Sequence, residues 1–123
     1  MKIKICIGDF KLEANLNGSK TANRIFDSLP IKGFSNRWGD EIYFEVPIHI
    51  NIEERYAKEV VKVGDLGFWP SGSSFCIFFG KTPASTGEEP RAASAVNVFG
   101  KVIGDSTLLR KTKSGEKILI ETL

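Results

Sequence analysis

Four Gly-Asp pairs divide the sequence into short apolar segments, and this spacing is the feature that most constrains the fold. The pairs are Gly8-Asp9, Gly39-Asp40, Gly64-Asp65 and Gly104-Asp105. Glycine at the first central position of a two-residue turn provides the positive φ of a type II′ hairpin, and aspartate is tolerated at the second position. The first three pairs lie between apolar or aromatic stretches, and KSGEK at 113–117 offers one more turn. Frequent short strands joined by such turns favour a mostly antiparallel sheet closed into a barrel or a sandwich.

The alternation of apolar and polar residues predicts where the strands lie. In MKIKICIG, the residues Ile3, Ile5 and Ile7 share one face, which is typical of a half-buried strand. The stretch 46–52 alternates in the same way, with Val46, Ile48, Ile50 and Ile52 predicted to face inward and His49, the only histidine, outward. The predicted strands are 2–7, 10–16, 31–38, 41–52, 60–63, 66–70, 74–79, 95–103 and 116–122.

One main capping helix is predicted at 19–29, the segment SKTANRIFDSL. Its apolar residues recur at the spacing of one helical stripe; they are Ala22, Ile25, Phe26 and Leu29. Ser19 or Thr21 can cap the start, and Pro30 prevents continuation. A shorter helical turn is predicted near 106–111.

Length and charge exclude several classes of protein. The chain has 123 residues and is predicted to form a single domain, 1–123. Its 17 basic and 15 acidic residues are scattered, and no run of Lys or Arg is long enough to follow phosphates, so we expect no nucleic-acid partner. No apolar run approaches the ~20 residues of a membrane span, so we expect no membrane partner.

The two cysteines indicate a reducing compartment. Cys6 and Cys76 lie too far apart for a CxxC pair, and the alternating start does not resemble a signal peptide. We therefore expect a cytoplasmic protein with two free thiols. Either thiol could instead be catalytic, but the sequence offers no partner histidine for it.

The common catalytic and metal-binding patterns are missing from the sequence. It contains no second histidine, no GxSxG, no GxxxxGK[ST] and no GxGxxG. A metal site needs three or four ligands, and nothing supplies them. We predict no catalytic residue, no metal and no cofactor.

The stretch NRWGDEIYF, at 36–44, is the first candidate for a binding surface. A turn at Gly39-Asp40 accounts for the glycine and the aspartate, but it does not require Arg37, Trp38 or Tyr43. An arginine beside exposed aromatic rings suits recognition of a carboxylate or a peptide carbonyl. A surface cation–π pair without a function is the alternative.

A second aromatic group lies in GFWPSGSSFCIFFG, at 67–80. Phe75, Ile77 and Phe79 share one face of the predicted strand, with Ser74, Cys76 and Phe78 on the other, and the pattern does not fix which set points inward. Trp69 and Phe78 are candidates to line a concave apolar surface, with Ser74 and Thr82 as its polar points. Packing in the core is the alternative for each of them. The following segment, 80–94, is either a functional loop or a solvated crossover.

From Leu66 onward the sequence resembles the cyclophilins. SGSSFCIFFGKTP is similar to their run built around G-S-Q-F-F-I and followed by K-T, and NVFGKVIGD is similar to their V-F-G-x-V stretch. With the short length and the NRWGDEIYFEVP, FWP and PRAAS segments, the chain resembles the small prokaryotic cyclophilin-like proteins, a group largely without an assigned activity. The resemblance implies a closed β-barrel of about eight strands capped by helix.

The resemblance does not carry over the cyclophilin catalytic residues. The family's glutamine falls on Ser74, its pocket phenylalanine on Cys76, its catalytic arginine on Phe44 and its histidine near Val96. Since prolyl isomerisation needs a donor to the twisting amide, only Arg37 or Arg91 could provide one from a new direction. The fold can be inherited without the activity.

These observations predict a cyclophilin-like groove that binds a peptide or a small acidic ligand without catalysis. Two arginines would contact an anion and two tryptophans would form apolar walls. A weak peptidyl-prolyl isomerase is the first alternative, and a structural domain that pairs with itself or a partner, as in a homodimer, is the second. The predicted ligand-binding residues are Arg37, Trp38, Tyr43, Trp69, Ser74, Phe78, Thr82 and Arg91.

Overall fold

The computed structural model describes residues 1–123, which form a mostly β structure with one main helix, as predicted. None of its helices has the length and apolar content of a membrane span. The helices are α1 (Lys20–Asp27) and three short 3-10 segments at Glu54–Tyr56, Pro70–Gly72 and Ser106–Lys111. The strands are β1 (Lys2–Ile7), β2 (Phe10–Leu16), β3 (Ile31–Phe34), β4 (Asn36–Arg37), β5 (Glu41–Glu45), β6 (Ala57–Val60), β7 (Asp65–Trp69), β8 (Ser74–Phe78), β9 (Arg91–Ile103) and β10 (Lys117–Thr122).

The strands form one open antiparallel sheet of ten strands, so the predicted closed barrel of about eight strands was wrong. The order is β3-β10-β1-β2-β9-β7-β8-β5-β4, with β6 also paired to β9. The two end strands are consecutive in the chain and separated only by Ser35, where the predicted strand 31–38 is interrupted. Ser35 donates its N–H to the Glu116 carbonyl and its Oγ to the Lys113 carbonyl at 2.7 Å. Ser35 is therefore bonded to the segment before β10, and β3 and β4 are two separate strands on either side of it.

Two of the Gly-Asp pairs form the predicted hairpin turns. Gly8, with φ +54°, joins β1 to β2, and Gly39, with φ +61°, joins β4 to β5. At Gly64 the hairpin prediction was wrong. Asp65 donates its N–H to the Lys62 carbonyl, which makes Gly64 the second central residue of the turn, and β6 and β7 pair with β9 instead of with each other.

The predicted strand 41–52 ends early, at Glu45. Val46 still donates its N–H to the Ser73 carbonyl at 2.8 Å, but Pro47 has no N–H to continue the ladder. Val46 and Ile48 are buried and His49 is exposed, as predicted, whereas Ile52 is exposed instead of inward.

Two further strands differ from prediction at their ends. Strand β6 covers Ala57–Val60 instead of 60–63, and β9 begins at Arg91, inside the segment that was predicted to lack a strand.

Helix α1 is shorter than the predicted 19–29 but begins where its cap was expected. The Ser19 Oγ accepts the Ala22 N–H at 3.0 Å, and the Glu53 carboxylate accepts the N–H groups of Lys20 and Thr21, each at 3.1 Å. Asn97 on β9 accepts the Glu53 N–H at 2.8 Å. The start of the helix is thus fastened to the long strand through two side chains.

Both faces of β8 are buried, which answers the question that the sequence left open. Phe75, on one face, packs between Phe44 and Phe99, with ring centroids 5.4 and 5.1 Å away. Cys76 and Phe78, on the other face, belong to a smaller apolar cluster. This outer cluster is formed by Val61, Cys76, Phe78, Ala92 and Val96.

We expect Gly39→Ala to destabilise the protein by more than ~1 kcal/mol in urea unfolding, since alanine rarely adopts a positive φ. An added Cβ would also lie 2.8 Å from the Lys81 carbonyl oxygen and 2.9 Å from the Thr82 Cα. Gly104→Ala is the matched control, because Gly104 has φ +90° with no atom near its Cβ position. Equal losses in the two variants would contradict the close approach at Gly39.

Candidate functional site

A cleft of about 210 Å³ lies over the outer cluster. Its walls come from the β4–β5 hairpin, from β7 and from the start of β9, and both tryptophans of the chain contribute to them. We call it the aromatic cleft. Its lining residues are Trp38, Glu41, Tyr43, Trp69, Ala92, Ala93 and Val96.

The hairpin positions three of the lining side chains. Trp38 and Glu41 flank the turn and exchange two backbone hydrogen bonds, of 2.9 and 3.2 Å. Because side chains alternate along a strand, Glu41 and Tyr43 lie on the cleft side of β5, while Ile42 and Phe44 enter the main core. The geometry of the turn therefore decides which aromatic ring and which carboxyl face the cleft.

Trp69 is held in place from the other side of the cleft. Its Nε1–H donates to the Ser94 Oγ on β9 at 2.6 Å. The six-membered part of its ring lies so close to Gly72 that a Cβ there would be 2.5 Å from it. The indole N–H is thus satisfied within the protein, and the remaining ring surface offers apolar and π contacts.

Glu41 is the one acidic or basic residue that lines the cleft, and it is only 6% exposed. No ion pair involves it. Burial raises the pKa of its carboxyl from 4.5 to about 7, and a hydrogen bond with the Cys76 thiol lowers it without offsetting the burial. Near neutral pH the cleft therefore holds a carboxyl that is divided between its neutral and its ionised form.

The Cys76 thiol, on β8 next to Glu41, is buried and is not suited to nucleophilic chemistry. Burial raises its pKa well above the ordinary value, and the charge of Glu41 and their hydrogen bond add to the effect. Both cysteines are free, and Cys6 is half-buried on β1. The structure contains no group of three or more His, Cys, Asp or Glu side chains placed to hold a metal ion.

Of the residues predicted from the sequence, Trp38, Tyr43 and Trp69 come together in the cleft. Phe78 is fully buried in the outer cluster and is paired with Glu41 across β5 and β8. Ser74 is also buried, and its Oγ donates to the Gly72 carbonyl at 2.9 Å. Phe78 and Ser74 therefore do not line the cleft.

The two predicted anion contacts already have partners within the protein. The Arg37 guanidinium donates to the Gly39 and Thr112 carbonyls at 3.0 and 2.8 Å and to Asp40 at 3.2 Å. It also lies over the Phe79 ring, 5.1 Å from its centroid. Arg37 does not line the cleft, and its contact with a ligand stays a prediction.

Arg91 and Thr82 are linked to each other at the end of the loop. The Thr82 Oγ1 donates to the Arg91 carbonyl, and the Arg91 Nε donates to the Glu89 carboxylate at 3.1 Å. Neither lines the cleft. Ala92 and Ala93, the next two residues after Arg91, do line it, so the segment 80–94 contributes its end to the cleft wall.

Glu41 is the principal residue that sequence reasoning did not identify. Its position two residues before Tyr43 on one strand was the available signal, because it predicts that both side chains share a face. In the sequence Glu41 directly follows the Gly39-Asp40 turn, where a carboxylate is usually solvated. The small residues of the PRAAS segment did not indicate that Ala92 and Ala93 would line a cleft.

The positions aligned with the cyclophilin active site are divided between the cleft and the core. Val96 lines the cleft and Cys76 lies beneath it. Phe44, aligned with the catalytic arginine, is buried in the main core instead. An arginine at that position of β5 would not face the cleft, whereas its neighbour Tyr43 does.

Comparisons with known proteins agree with the resemblance and extend it over the whole chain. A family model described as cyclophilin-like matches residues 1–121. The solution structure of a hypothetical protein from Archaeoglobus fulgidus is similar, with 38% sequence identity and a TM-score of 0.83, over 100% of this chain and 95% of that chain. No curated protein matches.

Glu41 should make the protein less stable as the pH rises from about 4.5 to about 7. Its pKa is raised in the folded state, so its contribution is fully present below the unfolded pKa and is lost through this window, by ~3 kcal/mol. Urea unfolding across this range should show that loss, and Glu41→Gln should remove it. The exposed neighbour Glu45 provides the control, Glu45→Gln, which should leave the slope unchanged.

Proposed function

The chain belongs to the cyclophilin-like family, and from that fold and its cleft we propose that it binds a peptide side chain or the head of a small molecule, without catalysis. The observation that carries this proposal is the aromatic cleft, which Trp38, Tyr43 and Trp69 line together with one buried carboxyl, that of Glu41. Aromatic walls with a single polar group are typical of ligand sites, since the walls supply affinity and the polar group fixes orientation.

The size of the cleft limits what can enter it. Sites for drug-sized molecules have volumes of roughly 300–1,000 Å³, whereas the aromatic cleft has about 210 Å³. It suits one side chain or one small head group, with the rest of the ligand lying outside.

The charges of the cleft favour a peptide over the acidic ligand that the sequence suggested. The one acidic or basic residue lining it is Glu41, and the guanidinium groups of Arg37 and Arg91 are engaged with protein oxygens. An anion would meet a like charge whenever Glu41 is ionised. In its neutral form, by contrast, the Glu41 carboxyl can donate a hydrogen bond to a peptide carbonyl.

Tryptophan fluorescence provides the direct test, because both tryptophans line the cleft. We expect the emission to change saturably when blocked tripeptides Ac-Ala-Xaa-Ala-NH2, with Xaa as Pro, Leu, Phe or Lys, are titrated in. Trp38→Ala should weaken binding of the preferred peptide about tenfold or more, as expected for a buried aromatic anchor. Phe34→Ala, which changes an exposed ring outside the cleft, is the control and should bind normally.

The absence of a saturable change with every one of these peptides would contradict binding of a peptide side chain. A dimer that forms with rising concentration and is lost in Trp38→Ala would favour the alternative of self-association through the same face. Sedimentation of the unmodified protein and the variant distinguishes these outcomes.

Weak prolyl isomerase activity is the second candidate, and the position of Glu41 is what favours it. Isomerisation is promoted by a hydrogen-bond donor to the twisting amide, and a neutral carboxyl in an apolar cleft is such a donor. Neither arginine is needed for this chemistry.

In a protease-coupled isomerisation assay we expect no rate above the uncatalysed one. Activity that disappears in Glu41→Ala and declines above about pH 7, where the carboxyl ionises, would instead favour the isomerase. Arg37→Ala and Arg91→Ala, examined beside it, would reveal a donor from the direction that the sequence suggested.

A further inference from the structure

We propose that the group received by the aromatic cleft is a methylated ammonium, carried by a side chain or by a small molecule. This inference rests on the proposed function and assigns the chemistry of the ligand. It depends on the combination of three aromatic side chains with one buried, unpaired carboxyl, namely Trp38, Tyr43, Trp69 and Glu41.

The carboxyl provides the first argument. A buried charge in a folded protein is ordinarily paired, because the cost of removing it from water is offset only by a partner of opposite charge or by hydrogen bonds. Glu41 is buried, and no Lys, Arg or His pairs with it. A cation that enters the cleft would supply the missing partner.

The aromatic walls provide the second argument. The faces of tryptophan and tyrosine rings attract cations, most strongly when the cation is desolvated. Methylated ammonium groups lose water more readily than a primary ammonium and present methyl groups to apolar walls such as Ala92 and Val96. Charge and shape therefore point to the same chemical class.

The third argument is that no cation of the protein itself competes for the aromatic rings of the cleft. The Trp69 N–H is already bonded to Ser94, and the cations nearest in sequence to the cleft, Arg37 and Arg91, have carboxylate and carbonyl partners elsewhere. No arginine or lysine of the chain stacks on Trp38, Tyr43 or Trp69, since the cation–π pairs of the structure are on Phe79 and Tyr56. An external cation would have no internal competitor.

The test compares choline with 3,3-dimethylbutan-1-ol, in which carbon replaces the charged nitrogen and the shape is kept. At about pH 8, where Glu41 is mostly ionised, calorimetry or tryptophan fluorescence should give choline at least about tenfold tighter binding than the alcohol. The peptide Ac-Ala-Xaa-Ala-NH2 with Xaa as trimethyllysine or lysine distinguishes a side-chain source from a small molecule. Tighter binding of the trimethyllysine peptide than of choline would assign the source to a peptide.

Glu41→Gln keeps the shape of the side chain and removes the charge. It should weaken choline binding about tenfold or more and leave the alcohol unaffected. Glu45→Gln, on the same strand but exposed, should leave both affinities unchanged.

The pH dependence of the unmodified protein gives a readout that needs no variant. The titratable groups facing Glu41 are the Tyr43 phenol on its own strand and the Cys76 thiol on β8, whereas the cleft residues from β7 and β9 carry none. Of these groups Glu41 has its pKa at about 7. Choline affinity should therefore fall from about pH 8 to about pH 5.5, while affinity for the alcohol should not change.

The outcomes separate the two proposals. Equal affinity for choline and the alcohol, or choline binding that Glu41→Gln does not weaken, would overturn the methylated-ammonium inference and leave an apolar binding cleft. Failure of choline, the alcohol and all the peptides to bind would overturn the proposed function with it. Preference for choline that depends on Glu41 and on pH would support both.

Discussion

The burial of both faces of β8 is the constraint on which the rest of the structure depends. This strand lies between β5 and β7 in the sheet, and all five of its residues are buried. One face fills the main core through Phe75 and Ile77, so the other face, with Cys76 and Phe78, needs a cover of its own. The start of β9 and Val61 provide part of that cover, and the aromatic cleft is the part left open.

The partly covered outer face also explains why an acidic side chain is buried at the cleft. Glu41 is paired across the sheet with Phe78 and shares its face with Tyr43, so its position in the β4–β5 hairpin places it among apolar groups. The turn is held in position, because Asp40 accepts hydrogen bonds from both Arg37 and Arg110, at 3.2 and 3.1 Å. It therefore cannot easily shift to expose the Glu41 carboxyl to water. The fold thus stabilises the hairpin with one carboxylate, Asp40, while it buries the next, Glu41, without an ion-pair partner.

The sequence predicted most elements of the fold because local patterns determine them. Alternation gave β1, β2 and β10, and Ser19 marked the start of the helix. Whether the sheet closes into a barrel depends instead on long-range hydrogen bonds, such as those that Ser35 makes with Lys113 and Glu116. No local pattern contains that information, and this is why a closed barrel was predicted where the sheet is open.

The same distinction applies to the site. Trp38, Tyr43 and Trp69 could be identified from the sequence because a turn at Gly39-Asp40 does not require the first two, and Trp69 belongs to a second aromatic stretch. Arg37 was predicted to contact a ligand for the same reason. Its hydrogen bonds to the Thr112 and Gly39 carbonyls are seen only in the three-dimensional structure, and they show that it stabilises the turn. Glu41 looked ordinary, because a carboxylate beside a turn is usually solvated, and only the cover supplied by β7 and β9 makes it unusual.

The separation of the two apolar clusters has a consequence for how such a cleft can change. The main core, with Phe44, Phe75 and Phe99, lies on the opposite face of the sheet from the cleft. Side chains such as Trp38 and Tyr43 are only half-buried, so replacing them removes less buried apolar surface than replacing a core phenylalanine. The sheet can therefore keep its stability while the cleft residues vary, which is how one fold comes to serve ligands of different chemistry.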